Sequence, residues 1–227
     1  MANKSATATP AEQGTSRLFL LAIAAVVVVG LGVVAVVAGG SGDADSATDE
    51  VAGDGAETAA VSITGDPLEL MPEGVQVSDA ATDPTVGTIA PTVTGTTFDG
   101  TEVTIGPDGS AKVIYFVAHW CPHCQAEVPL VQGLIDAGAV PDGLEVYAVS
   151  TSVDDGRGNY PPSGWFAEEG FTPTVIRDDD ATSALSAFGA TSFPFAVYLD
   201  AEHQVVARTA GSLDAETTEL LWQAAVS

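Results

Sequence analysis

The chain has 227 residues, enough for one domain of about 100–200 residues with extensions. Six Lys and Arg stand against 31 Asp and Glu, a net charge of −25. That balance excludes nucleic-acid binding, where cationic side chains must neutralise phosphates. The two cysteines, Cys121 and Cys124, are too few for a disulfide scaffold or a four-cysteine zinc site.

Residues 18–38 form a run of 21 residues without a charge or an amide. About 20 apolar residues span a bilayer as a helix, so this run is expected to be a transmembrane anchor. A cleaved signal peptide ending at Val36-Val37-Ala38 is the alternative, but its apolar region ordinarily runs about 7–15 residues. No Cys precedes Cys121, so a lipid anchor is not expected. Lys4 and Arg17 precede the run and no Lys or Arg follows before Lys112. Positive flanks stay in the cytoplasm, which puts residues 1–17 inside and the remainder outside. The outer part then carries 4 basic and 30 acidic residues, a net of −26. Such a surface is repelled by anionic headgroups.

Residues 39–60 are Gly, Ser, Ala and six acids without an aromatic, a composition that cannot bury a core. Residues 61–84 scatter apolar side chains among Pro and Gly and read as an extended lead-in. The expected division is 1–17 cytoplasmic, 18–38 anchor, 39–84 acidic flexible linker and lead-in, and 85–227 folded domain.

Within that domain Thr101–Ile105 alternates as a strand, and Pro107-Asp108-Gly109 is a turn. The continuous apolar run Val113–Val117 predicts a central strand buried on both faces. A helix is expected after Trp120, with Pro122 in its first turn and Pro129 kinking it. Leu144–Val149 is a second buried strand. Trp165 and Phe166 begin a short helix and fill core. Thr174–Ile176 is a strand, and Ala181–Phe188 a helix closed by Gly189. Phe195–Leu199 and Gln204–Arg208 pair as a hairpin. Asp214 caps a last helix that presents Leu220, Leu221 and Ala224 to the core. From Val113 on, the order β-α-β-α-β-α-β-β-α predicts an α/β fold, a central mixed sheet with helices on both faces.

The chemistry lies in Trp120-Cys121-Pro122-His123-Cys124. Cysteines at i and i+3, where a buried strand runs into a helix, meet across one helical turn. The first sulfur sits where the unpaired N–H groups of the helix point, an environment that favours a thiolate. Cys121 is therefore the expected nucleophile, exposed, and Cys124 the buried resolving thiol. A structural bridge closing so short a loop stabilises little. Glu127, three residues after Cys124, shares its helix face. It either sits beside the resolving sulfur and exchanges a proton with it, or is a solvated helix glutamate. His123, inside the pair, can stabilise a thiolate as an imidazolium or an N–H donor. His119 reads as a surface residue, and His203 as an unremarkable turn residue.

These motifs resemble the thioredoxin superfamily, and more narrowly its membrane-anchored TlpA/ResA-like thiol–disulfide oxidoreductases. Gly87-Thr88-Ile89-Ala90-Pro91 followed by Phe98–Val103 is similar to the start of that family's domain. Thr191-Ser192-Phe193-Pro194-Phe195 is similar to its cis-proline segment. The resemblance covers about residues 85–227 and implies a thioredoxin-like fold. It implies a cis Pro194 facing the cysteines, with the Phe193 backbone free to pair with an extended substrate. It further implies Trp120 on the rim of the site and an acid–base role for Glu127. The chain departs from thioredoxin at Tyr115, where thioredoxins carry a buried Asp, so proton handling falls to Glu127, His123 or water.

The expected function is an extracytoplasmic thiol–disulfide oxidoreductase held in the cell membrane. It exchanges disulfides with protein substrates and with an electron-transfer partner at the membrane, and needs no cofactor or metal. The alternative is a copper chaperone of the same fold, binding Cu(I) through Cys121, Cys124 and one of His119, His123 or His203. A thiol peroxidase is set aside for want of its Pro-x-x-x-Thr-x-x-Cys loop.

Overall fold

Residues 55–74 and 82–227 are described by a computed structural model; the expected anchor at 18–38 lies outside them. No helix among the described residues is long and apolar enough to cross a membrane. In chain order the elements are β1 (Ser62–Thr64), β2 (Thr92–Thr96), β3 (Glu102–Ile105), β4 (Ala111–Val117), α1 (Pro122–Asp136) and β5 (Leu144–Ser150). Then come α2 (Pro162–Glu168), β6 (Thr174–Arg177), α3 (Ser183–Ala187), β7 (Phe195–Leu199), β8 (Val205–Ala210) and α4 (Ala215–Ala225).

The apolar run of β4 is buried at every residue, as a central strand must be. It sits third in a five-stranded sheet ordered β6-β5-β4-β7-β8. β4, β5 and β6 are parallel, whereas β7 and β8 are antiparallel to their neighbours, so the sheet is mixed. Side chains alternate along β4. Val113, Tyr115 and Val117 face a core closed by α1, α2 and α4, where Trp165, Phe166, Leu221 and Trp222 pack. Ile114 and Phe116 face a second core closed by Phe188 at the end of α3, by Val93 and Ile105, and by Leu68 and Met71 of the lead-in. Helices therefore cover both faces.

Two strands lie outside the expected order. β1 and β2 join β3 in a small antiparallel sheet. The stretch 55–74, expected as tether and lead-in, is built onto the domain. Arg177 donates to the Ala56 carbonyl, Ala59 N–H to the Asp178 carbonyl, and Ser163 to the Glu57 carboxylate. Arg208 fixes the lead-in further along. Its guanidinium binds both oxygens of Asp83 at 2.7–2.8 Å and the carbonyls of Glu69 and Phe188. Burial pushes the Asp83 carboxyl upward, but the bonds from Arg208 and Thr85 outweigh it and hold it below its ordinary range. Gly189, at φ +68° after α3, lies so close to Glu69 and Arg208 that a Cβ there collides with both.

α3 starts at Ser183 rather than Ala181, because Thr182 takes a left-handed conformation at φ 55°. α1 runs on through Pro129. Asp214 caps α4 by accepting from Thr217 N–H, as expected. The buried stripe of α4 is Thr218, Leu221, Trp222 and Ala225, while Leu220 is 64% exposed and Ala224 also faces solvent. Of the expected stripe Leu220, Leu221 and Ala224, only Leu221 is buried; Trp222 takes the core seat, and Leu220, two positions and about 200° away round the helix, points out. Leu221→Ala should therefore cost about 2–3 kcal/mol in denaturant unfolding, and Leu220→Ala less than about 0.5 kcal/mol.

Candidate active site

β4 ends at Val117, Ala118 follows, and four residues after Ala118 α1 begins at Pro122. Cys121 is the N-cap of α1 at φ −79°, ψ 120°, and Pro122 occupies the first helical position, where its missing N–H leaves nothing unpaired. The Cys121 side chain makes no capping bond, so its sulfur is available. It lies 3.8 Å from the Phe193 carbonyl. Cys124, one turn on, is fully buried and accepts from the Ala118 N–H at 3.5 Å. Both cysteines are free thiols. Cys121 was expected to be exposed; it is 7% exposed, recessed but more accessible than its partner.

The Phe193–Pro194 peptide is cis, and this loop faces the helix start through the Phe193 carbonyl. Phe193 stacks edge-on against Trp120 with ring centroids 5.9 Å apart. Trp120 donates its indole N–H to the Ser152 carbonyl at 2.8 Å. The Arg157 guanidinium lies over its ring, 3.8 Å from the centroid. Trp120 thus rims the site, held by two loops.

Glu127 is 3% exposed, which removes the solvated-glutamate reading. One carboxylate oxygen accepts from the Leu213 N–H at 3.2 Å. Burial raises its pKa to about 7, with that single hydrogen bond opposing. Burial also pushes the Cys124 thiol far up, the Ala118 N–H opposes, and the nearby Cys121 and Glu127 push it higher still. Three positions apart, Cys124 and Glu127 lie together on the buried face of α1. Tyr115 is buried and accepts from the Trp222 indole N–H at 2.9 Å. His123 is exposed in the first turn of α1, its carbonyl held by Ser212 Oγ.

Two histidines differ from their sequence reading. His119 is 1% exposed, not a surface residue. Its Nδ1 pairs with the Gly158 carbonyl at 2.8 Å, and its Nε2 accepts from the Asp154 N–H at 3.2 Å. The reading failed because its partners lie 35 and 39 residues away in a loop with no pattern. His203 is buried at φ 65° beside the Pro91 carbonyl. Burial lowers its pKa, with the Pro91 carbonyl opposing. It sits at the turn that follows Leu199, the partner of Lys112 at the start of β4. At about 3.3 Å per residue, that end of the strand is about 20 Å from Ala118. A second cis bond, Tyr160–Pro161, gave no sequence signal.

The AhpC/TSA family's sequence model matches residues 86–221, more than half of the chain. The chain belongs to the AhpC/TSA family. Several solved structures share its fold. StoA from Bacillus subtilis is 19% identical, covers 62% of this chain and 99% of its own, and superposes with a TM-score of 0.50. A putative thiol:disulfide interchange protein DsbE from Chlorobium tepidum is 23% identical, covering 63% and 98%, with a TM-score of 0.52. A DsbF homologue from Corynebacterium diphtheriae is 16% identical, covering 69% and 98%, with a TM-score of 0.53. The fold is thus thioredoxin-like. No curated protein matches the sequence.

Proposed function

We propose that this chain is a thiol–disulfide oxidoreductase of the TlpA/ResA-like kind, anchored in the cell membrane with its catalytic domain outside. The observation that carries this reading is the meeting of two features. Cys121 and Cys124 share the first turn of α1, and the cis-Pro194 loop presents the Phe193 carbonyl 3.8 Å from the Cys121 sulfur.

The chemistry follows from that arrangement. The Cys121 thiolate attacks one sulfur of a client disulfide, forming a Cys121–client bond and releasing the other client sulfur as a thiolate. The Phe193 backbone holds the client segment in extended form beside the sulfur. Cys124 then attacks Cys121, closing the Cys121–Cys124 disulfide and freeing the second client thiolate. Two electrons pass from the pair to the client; the reverse sequence oxidises a client dithiol. Cys124 must lose its proton to attack, and Glu127, with a pKa of about 7 on the same buried face of α1, is the group placed to take it.

The copper reading loses ligands. Both ring nitrogens of His119 are committed to the backbone, and His203 lies at the far end of β4. Cys121, Cys124 and the exposed His123 remain as its ligand set. Titration of the reduced protein with Cu(I) separates the two readings: the oxidoreductase reading expects no complex that survives competition from a Cu(I) chelator, and a tight one-to-one complex through both thiols would favour the chaperone. The outside location rests on Lys4 and Arg17 before the apolar run. Protease added to intact spheroplasts should digest the domain. A protected domain, or a soluble one beginning near Gly39, would contradict the anchor.

A further inference from the structure

We propose that His119 is the positioning residue that fixes the second wall of the client groove, the loop 152–160, against Trp120; the proposal rests on the thiol–disulfide reading. Both ring nitrogens of His119 bond to the same loop. Its Nδ1–H donates to the Gly158 carbonyl at 2.8 Å, and its Nε2 accepts from the Asp154 N–H at 3.2 Å. Only the neutral ring with its proton on Nδ1 makes both bonds. The His119 carbonyl accepts from Asn159 in the loop and from Gln125 in α1, at 3.2 and 2.9 Å. The ring also meets Tyr160 edge-on. A buried residue at the entrance to the active-site turn is thus bonded to three residues of a loop that has no regular structure of its own.

The loop reaches the rim through Trp120. Ser152 holds the indole N–H, and Arg157 covers the ring face. Lys112, Arg177 and Arg208 are buried, so Arg157 is the exposed basic residue of the described domain. It makes no ion pair or hydrogen bond through its guanidinium among the described residues, despite Asp154 and Asp155 nearby in sequence. Trp120 therefore stands between Phe193 on the cis-proline side and Arg157 on the loop side. A client segment lying along Phe193 passes this rim, whereas a small disulfide needs only the Cys121 sulfur. Both ring nitrogens of His119 bond to the loop and neither bonds to a sulfur, so the clamp acts on client positioning and leaves the redox pair alone.

The test compares the full-length wild type with His119→Ala and His119→Asn, using insulin as the protein disulfide and 2-hydroxyethyl disulfide as the small one. In His119→Ala, kcat/KM for insulin should fall about tenfold, chiefly through KM, while the small disulfide stays within about twofold. The Cys121–Cys124 potential should not move. Asn keeps a donor at the Nδ1 position but loses the acceptor for Asp154, so it should rescue part of the insulin reaction. Acrylamide quenching reports the rim, since Trp165 and Trp222 are buried and Trp120 is only partly so. It should increase in His119→Ala. Nitrogen-15 spectra of the wild type should show His119 protonated at Nδ1. Equal loss on both disulfides, a shifted potential, or no change on insulin would overturn the proposal. A wild type that reduces neither disulfide would overturn the oxidoreductase reading itself and the groove with it.

Discussion

Cys124→Ser should accumulate mixed disulfides with client proteins through Cys121, and Cys121→Ser should accumulate none. Disulfide exchange needs a thiolate that can reach its target. Cys121 is the more accessible sulfur, at the helix start where first-turn N–H groups are unpaired, and it faces the Phe193 carbonyl. Cys124 is fully buried, and burial pushes its thiol upward. With Cys124 replaced, attack by Cys121 still forms the client bond, but no internal thiol breaks it. Turnover should fall to background in both variants, and non-reducing gels with mass analysis should find the adduct only in Cys124→Ser. Trapping through Cys124 in the Cys121→Ser chain would reverse the order of attack.

Glu127→Gln should stabilise the domain above neutral pH and slow resolution of the mixed disulfide. The Glu127 carboxyl ionises at about 7 in the folded domain, against an ordinary 4.5. The folded value is the higher one, so the unfolded chain gives up its proton first. Below pH 4.5 the residue is neutral in both states and costs nothing. Between about pH 4.5 and 7 the penalty grows, and above 7 it is complete. At about 1.4 kcal/mol per pH unit, it amounts to at most about 3 kcal/mol. Gln has nearly the same shape and still accepts from the Leu213 N–H. The variant should therefore match the wild type near pH 4 and exceed it by up to about 3 kcal/mol at pH 8. Without a proton acceptor beside Cys124, single-turnover resolution should slow by about 100-fold and lose its inflection near pH 7. Parallel stability profiles for the two proteins would show that Glu127 is not the buried acid described here.

Much of this arrangement is legible along the chain because it rests on local signals. The apolar run of β4, Pro122 at the helix start, Gly189 and the Asp214 cap each act within a few residues, and each element appears where its signal lies. Glu127 could be placed on the Cys124 face by spacing alone, but its burial depends on Leu213 and α4, which spacing does not show. His119, the Asp83–Arg208 pair and β1 depend on contacts between distant segments. A histidine that bonds to backbone 35 residues away reads along the chain like any other polar residue. The α4 stripe was misread because Leu, Trp and Ala alternate around the whole helix. The seat of Trp222 against Tyr115, not the apolar pattern, sets the rotation.

The central claim is that Cys121 and Cys124 form a reversible two-electron couple. Two influences on its potential oppose each other. His123 is exposed two residues from Cys121 in the first turn of α1, and an imidazole N–H turned toward the Cys121 thiolate would stabilise the reduced pair and make the disulfide more oxidising. The acidic surface opposes it, but exposed charge is screened over about 8–10 Å. The most direct measurement equilibrates the full-length protein with glutathione buffers and counts alkylated thiols by mass. The expected result is one two-electron transition between Cys121 and Cys124, with a midpoint above about −270 mV for thioredoxin and below about −120 mV for DsbA, and lowered by His123→Pro. Absence of a Cys121–Cys124 disulfide at any poise would contradict the redox couple. A midpoint at or below that of thioredoxin, unmoved by His123→Pro, would contradict the role of the active-site turn.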